Sequence, residues 1–361
     1  MKKKLIYWGS LTLKMTLIFA IIASAPQAIT MEKPSWAQSL WESAKDRLYS
    51  LPLIKKELHA RKQYQDLRKE VEEIVKNGKT VQEVEPKKLR DQHQKMLQDF
   101  KKCACISKKE WDYYLRTLAY AKEKNPLFVP NFKNPSKSTF KDEYYQKISD
   151  LIDIKLRERN LNPEAVKRYI INQNTLVNGS AWQSSYNYHP TENNIRINLF
   201  GLNNENLSHV INHEITHIQE HHNVQRKILR TITEKEKKHC FIPLNHTTER
   251  EAELLYALQQ VTAAQHGVEY SCLISHNHIP RNGTDYNNYY PGFFWDFYPH
   301  AYHDTDTHLS MQTRCSEMKR VLNMLEIENE LKEKSISRVA VKNKTKDYKY
   351  LHFVFDPAFN S

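Results

Sequence analysis

His213 and His217 stand four residues apart in the run His213-Glu214-Ile215-Thr216-His217. At that spacing two imidazoles lie one above the other on a single helix face and can reach one metal ion. Glu214 falls about 100° round the helix, beside such an ion and not on it. From there a carboxylate can take a proton from metal-activated water and hand it to a leaving amine. Zinc suits the task because it lowers the pKa of bound water toward neutrality and polarises a scissile carbonyl. The chain holds 17 histidines, and such a composition gives about one chance in twenty of an accidental match. The motif therefore needs a third ligand before it carries weight.

A catalytic zinc site uses three protein ligands and one open position. Downstream, Glu249-Arg250-Glu251-Ala252-Glu253-Leu254-Leu255-Tyr256-Ala257-Leu258 is rich in strong helix formers. Glu249 and Glu253 are four apart and share a face. Glu249 could bind the ion while Glu253 accepts the free N–H of a ligating histidine, the usual outer partner of such a ring. Two solvated surface glutamates would look the same in isolation, and His239, His246 and Glu251 stand as rival ligands.

These groups need elements to position them. Residues 207–229 read as one long helix, with Ile211, Ile215 and Ile218 opposite the histidines to seat it on a core. Residues 181–188 and 194–199 alternate in the manner of strands, and the run 189–193 between them is rich in turn formers, so a β-hairpin is expected. Another helix covers 142–159, and Asn162-Pro163-Glu164 resembles a helix start. Residues 35–122 read as helical and polar, with amphipathic stretches at 67–77 and 88–100. Three prolines at 126, 130 and 135 mark 125–138 as a linker. The expected fold is α+β and predominantly helical. Its parts are an N-terminal segment (1–28), a helical region (29–135), a metal-site domain (140–330) and a basic tail (331–361).

Composition narrows the classes. With 361 residues and 40% apolar content the chain can bury a core. Only 7 glycines disfavour a hairpin-rich all-β fold. The balance of 54 Lys+Arg against 42 Asp+Glu leaves +12. The basic residues are interleaved with acids, as on solvated helix faces, so no nucleic-acid partner is expected and contact with an anionic membrane surface fits better. Lys2, Lys3 and Lys4 followed by the apolar run 15–25 form a signal peptide or N-terminal anchor, which implies export to a periplasmic or extracellular compartment. Five cysteines allow one bridge among Cys240, Cys272 and Cys315 in such a compartment. An aromatic run at 286–302 could form a lid or a docking surface.

Four features in order resemble the gluzincin metallopeptidases of the HtpX, CAAX-prenyl-protease and Oma type. They are the strand and Gly-Leu turn at 194–202, the helix at 207–217 with its trailing His222, Glu249-Arg250-Glu251-Ala252-Glu253, and Thr307-His308-Leu309-Ser310 followed by Arg314. The resemblance covers roughly residues 181–325. It implies a zincin-like fold with His213, His217 and Glu249 as zinc ligands and Glu214 as general base. It also puts Glu253 behind a ligand histidine, and His308 and Arg314 at the site. Glu253 stands where the family has aspartate, and Leu309 where it has proline. The short gap between His217 and Glu249 is also similar to the ImmA/IrrE-like gluzincins. Substrate polypeptide would pair with an edge strand, here residues from Ala181 to Tyr186, and His308 could fill the open zinc position as a removable ligand. The expected activity is a zinc endopeptidase acting on exported or envelope proteins. The alternative is an inactive zinc-binding module that works through protein–protein contact.

Overall fold

The computed structural model describes residues 52–130, 139–173, 178–186, 189–200, 202–233, 237–276 and 304–344. The leader, the aromatic run at 286–302 and residues 345–361 lie outside them. The chain divides into two compact units, Met1–Asp66 and Leu67–Ser361, and the division falls within helix α1 (Pro52–Lys76).

The second unit is built of helices around a three-stranded sheet. Helices α2 (Val81–Cys103) and α3 (Lys108–Glu123) each begin at a capping box. Thr80 with Glu83, and Ser107 with Glu110, satisfy N–H groups that the first turn leaves without helical partners. Helix α4 (Glu143–Glu158) starts at Asp142, whose carboxylate accepts from the backbone N–H of Tyr144 and Tyr145.

The start signal at Asn162-Pro163 yields only a 3-10 turn, Pro163–Ala165. The chain then enters strand β1 (Val166–Ile171), whose alternating buried and half-buried positions suit a sheet, not a helix. Strands β2 (Gly179–Tyr186) and β3 (His189–Asn198) form the expected hairpin. The connection is shorter than expected, because residues 189–193 extend β3. The sheet order is β1-β3-β2, with β1 parallel and β2 antiparallel to the central β3. Ile195 and Ile197 on β3 are fully buried.

The segment 125–130 is fastened, not a free linker. Leu127 is fully buried in the core that joins the sheet to α4 and the site helix, and Asn125 accepts from the buried Asn193 side chain. The helices from Leu67 onward therefore belong to one unit with the metal motif.

The motif helix is shorter than the sequence suggests. Helix α5 (Asn204–Gln219) starts at Asn203, whose side chain accepts from the Asn206 N–H. It stops at His221, which adopts a left-handed conformation with φ of 60°. A second helix, α6 (His222–Ile232), starts directly afterwards. All residues of α5 from Asn206 to Ile218 are buried. Ile211, Ile215 and Ile218 enter the sheet core at about 1.5–3 kcal/mol each, which fixes the helix while its polar face turns to other side chains. Helices α7 (Lys238–Ala257), α8 (Val261–His276) and α9 (Met311–Lys344) complete the unit. Helix α9 thus runs well past residue 331, where the sequence suggests a tail.

Cys103 is bonded to Cys240, tying the end of α2 to the start of α7. Of the three cysteines among which one bridge was expected, Cys240 therefore pairs outside the set, with Cys103. Cys315 is also disulfide-bonded, and Cys105 is an exposed free thiol.

Candidate metal centre

Helix α5 carries His213 and His217 on one face, and their Nε2 atoms stand 3.0 Å apart. Helix α7 brings Glu249 against both. Its Oε2 lies 3.2 Å from His213 Nε2 and 3.0 Å from His217 Nε2. Three donor atoms from two helices thus converge on one point and could hold one metal ion. All three side chains are buried. The rival ligands lie elsewhere. His239 Nε2 sits 3.4 Å from Cys240 Sγ, His246 meets the carbonyl of Thr305, and Glu251 engages His222. A second convergence, of Cys103, His239 and Cys240, offers no thiolate because the two sulfurs are bonded to each other.

A layer of partners holds the donors. Glu253 Oε2 lies 3.0 Å from His213 Nδ1, and Glu253 Oε1 lies 3.1 Å from His209 Nε2. Arg314, on α9, donates to Glu253 Oε2 at 2.6 Å. Both the glutamate and the arginine expected behind the ligands are therefore there. His217 Nδ1 is 3.0 Å from His222 Nδ1. Arg226, on α6, donates to Glu249 Oε1 at 3.3 Å. His308 Nε2 lies 3.1 Å from Glu249 Oε2. However, His308 is not among the donors that all lie within 4.8 Å of one another. It stands next to the Glu249 carboxylate, outside that group of three.

The electrostatics follow from burial and pairing. Burial alone would raise the Glu249 carboxyl, but the adjacent His217 ring and hydrogen bonds from His213, His217 and His308 hold it well below the usual carboxylate range. Glu253 behaves the same way, with Arg314 and His209 opposing burial. Burial pushes His217 down to about 3. Burial also acts to lower His213, yet its hydrogen bonds to Glu249 and Glu253 prevail and raise it to about 10. The Glu249 carboxylate therefore stays ionised beside the two rings, the state in which a carboxylate can bind a cation.

Glu214 differs from the other acids. It makes no hydrogen bond among the described residues, and burial raises it to about 7. It lines a cleft of about 320 Å³ together with Gly179, His213, Tyr270, His308 and Arg314. Gly179 opens β2 beside it. A Cβ there would lie 2.5 Å from Glu214 Oε1 and 2.7 Å from Val210 Cγ1. Only the missing side chain lets the strand approach the carboxylate this closely.

The expected substrate edge is modified by the structure. The Ala181 carbonyl accepts from the Asn223 side chain, so at that residue the outer edge of β2 is covered by α6. Tyr186 pairs through its backbone with His189, and its side chain lies outside the described residues. Gly179, at the start of β2, lines the cleft. Sequence reasoning missed Gly179, Arg226 and His209. Gly179 had a readable signal, since it is one of only 7 glycines and directly precedes the strand pattern.

No protein-family model, curated protein or solved structure matches this chain.

Proposed function

We propose that the protein is a zinc-dependent endopeptidase of zincin-like fold. The observation that carries this reading is the triangle of His213 Nε2, His217 Nε2 and Glu249 Oε2, with sides of 3.0, 3.0 and 3.2 Å. Tetrahedral zinc with bonds of about 2.0–2.1 Å spaces its ligand atoms by roughly 3.3–3.4 Å, so the donors fit the ion with small adjustments. Two imidazoles and one carboxylate also match a catalytic ligand set, which keeps one position open. When bound, zinc would supply acidified water and a polarised carbonyl.

The chain's own residues do the rest. Glu214 lines the cleft with no hydrogen bond to its carboxylate among the described residues, ready to accept a proton and return it to the amine that leaves. Peptide would enter the cleft past Gly179. His308 is partly exposed at the cleft and can donate an N–H to the oxygen that gains charge. Arg314 and Glu253 act behind His213 and keep its ring in register. The basic N-terminal leader and the excess of positive charge support action on exported or envelope polypeptides near an anionic membrane surface.

The test is the Glu214→Gln variant. It should keep one zinc per chain and lose about 10²–10⁴-fold in cleavage of labelled casein. Cleavage at the parental rate would refute the assigned base. Full zinc occupancy with no cleavage by the parent would favour the inactive binding module.

A further inference from the structure

Behind His217 lies a chain of buried polar groups that the proposed reaction does not use. His217 Nδ1 is 3.0 Å from His222 Nδ1, and His222 Nε2 is 3.1 Å from Glu251 Oε2. The same Glu251 oxygen lies 3.4 Å from Nδ1 of His93 on helix α2. His93 Nε2 is 3.2 Å from Gln225 Oε1, and the Gln225 amide donates to the Glu220 carbonyl. His222, Glu251, His93 and Gln225 are all at most 5% exposed. The path thus runs from the motif helix through α6 and α7 to a helix more than a hundred residues upstream.

Hydrogen-bond logic gives the path a direction. A ligand nitrogen must present a lone pair, so with Nε2 facing the donor triangle His217 carries its proton on Nδ1. His222 Nδ1 must then accept. His222 therefore carries its own proton on Nε2 and donates it to Glu251. One carboxylate fixes the tautomer and the rotation of two successive rings. A buried carboxylate is costly unless it is paired and hydrogen-bonded; the His222 N–H is its hydrogen-bond partner, and the His93 ring stands 3.4 Å away as a close electrostatic neighbour without a hydrogen bond between them. The break at His221 makes the path possible. Its left-handed φ of 60° turns the chain at the end of α5 and starts α6 with His222 facing back to His217.

We propose that Glu251 and His93 are positioning residues for the metal centre, so that helix α2 is part of the site and not an appended region. This rests on the zinc reading of His213, His217 and Glu249. The two donor rings then have separate supports, Glu253 for His213 and the Glu251–His222 pair for His217.

Zinc affinity of the full chain, by competition with a chromogenic chelator, and the visible spectrum of the cobalt-substituted protein provide the test. Glu251→Gln keeps the size and the acceptor oxygen but removes the charge. It should weaken zinc about 10–100-fold and shift the cobalt bands, while the metal-free protein still unfolds cooperatively. His93→Gln should move both readouts in the same direction by less. Glu328, another buried acid, serves as the structural control: Glu328→Gln should change stability without moving metal affinity. Should Glu251→Gln not fold, Glu251→Asp is read in its place, with the same direction expected. Zinc binding within twofold of the parent and an unshifted cobalt spectrum in both Glu251→Gln and His93→Gln would overturn the positioning role alone. Absence of stoichiometric zinc from the parent would overturn the metal reading beneath it.

Discussion

Replacing Gly179 with alanine probes the contact on which the proposed chemistry turns. The added Cβ would meet Glu214 Oε1 at 2.5 Å, Val210 Cγ1 at 2.7 Å and Glu214 Cγ at 2.9 Å. Ordinary contact begins near 3.4 Å, so the carboxylate oxygen must retreat by roughly 0.9 Å. Glu214 can swing, but Val210 is short and sits on a helix buried on all sides, so part of the strain stays. Overpacking of this kind costs about 1–3 kcal/mol. A general base displaced by about 1 Å should lose on the order of 10²-fold in kcat. The assay pairs thermal unfolding with steady-state cleavage of a fluorogenic peptide and zinc analysis, which should remain at one per chain. A double-mutant cycle isolates the cause. Glu214→Ala removes two of the three close atoms, so Gly179→Ala should cost less stability in that background, with a coupling of about 1 kcal/mol or more. An equal penalty in both backgrounds, or a kcat within threefold of the parent, would refute the packing argument.

Three further outcomes can be checked with the same protein. Removing zinc with 1,10-phenanthroline should lower the unfolding midpoint, because a ligand at a thousand times its Kd adds about 4 kcal/mol; an unchanged midpoint would count against a structural role for the ion. Reduction of the Cys103–Cys240 bridge, or Cys103→Ser, should destabilise the chain by up to about 5 kcal/mol on the chain-entropy account for a separation of 137 residues, as read by urea unfolding with and without reductant. The metal-free protein should also lose stability in acid through His221, which is 2% exposed and pushed by burial down to about 4 from 6.5. The unfolded chain binds a proton there below pH 6.5 and the folded chain does not, so stability is complete above 6.5 and falls by about 2–3 kcal/mol on the way to pH 4.5. Asparagine tolerates the left-handed backbone, so His221→Asn should flatten that part of the pH profile.

The legible portion of the site was the portion written in local spacing. His213 and His217 four apart, Glu249 and Glu253 four apart, and helix formers around both pairs sufficed to place three converging donors and one support. Arg314 and His308 became visible only through resemblance, since nothing in their own spacing points to a metal. The hairpin was legible from alternation. β1 was missed because Asn162-Pro163 reads equally well as the start of a helix and of a short 3-10 turn, and only pairing with β3 decides between them.

What stayed hidden has a common cause. His93 and Gln225 reach the layer behind His217 through tertiary contact, and a histidine on a polar helix carries no mark of the carboxylate it will meet. The break at His221 was hidden for a related reason. The stretch 207–229 keeps helical periodicity on both sides, and Glu220-His221 contains no glycine or proline to signal an end. A single non-glycine residue at positive φ is uncommon without a compensating gain. Here the gain is visible in the geometry: a straight continuation would carry His222 round the helix axis by five residues, about 140° from His217, too far for the two rings to meet. The kink brings their Nδ1 atoms to 3.0 Å and so joins the motif helix to Glu251. The departure from local preference at His221 is therefore where the fold supports the His217 ring.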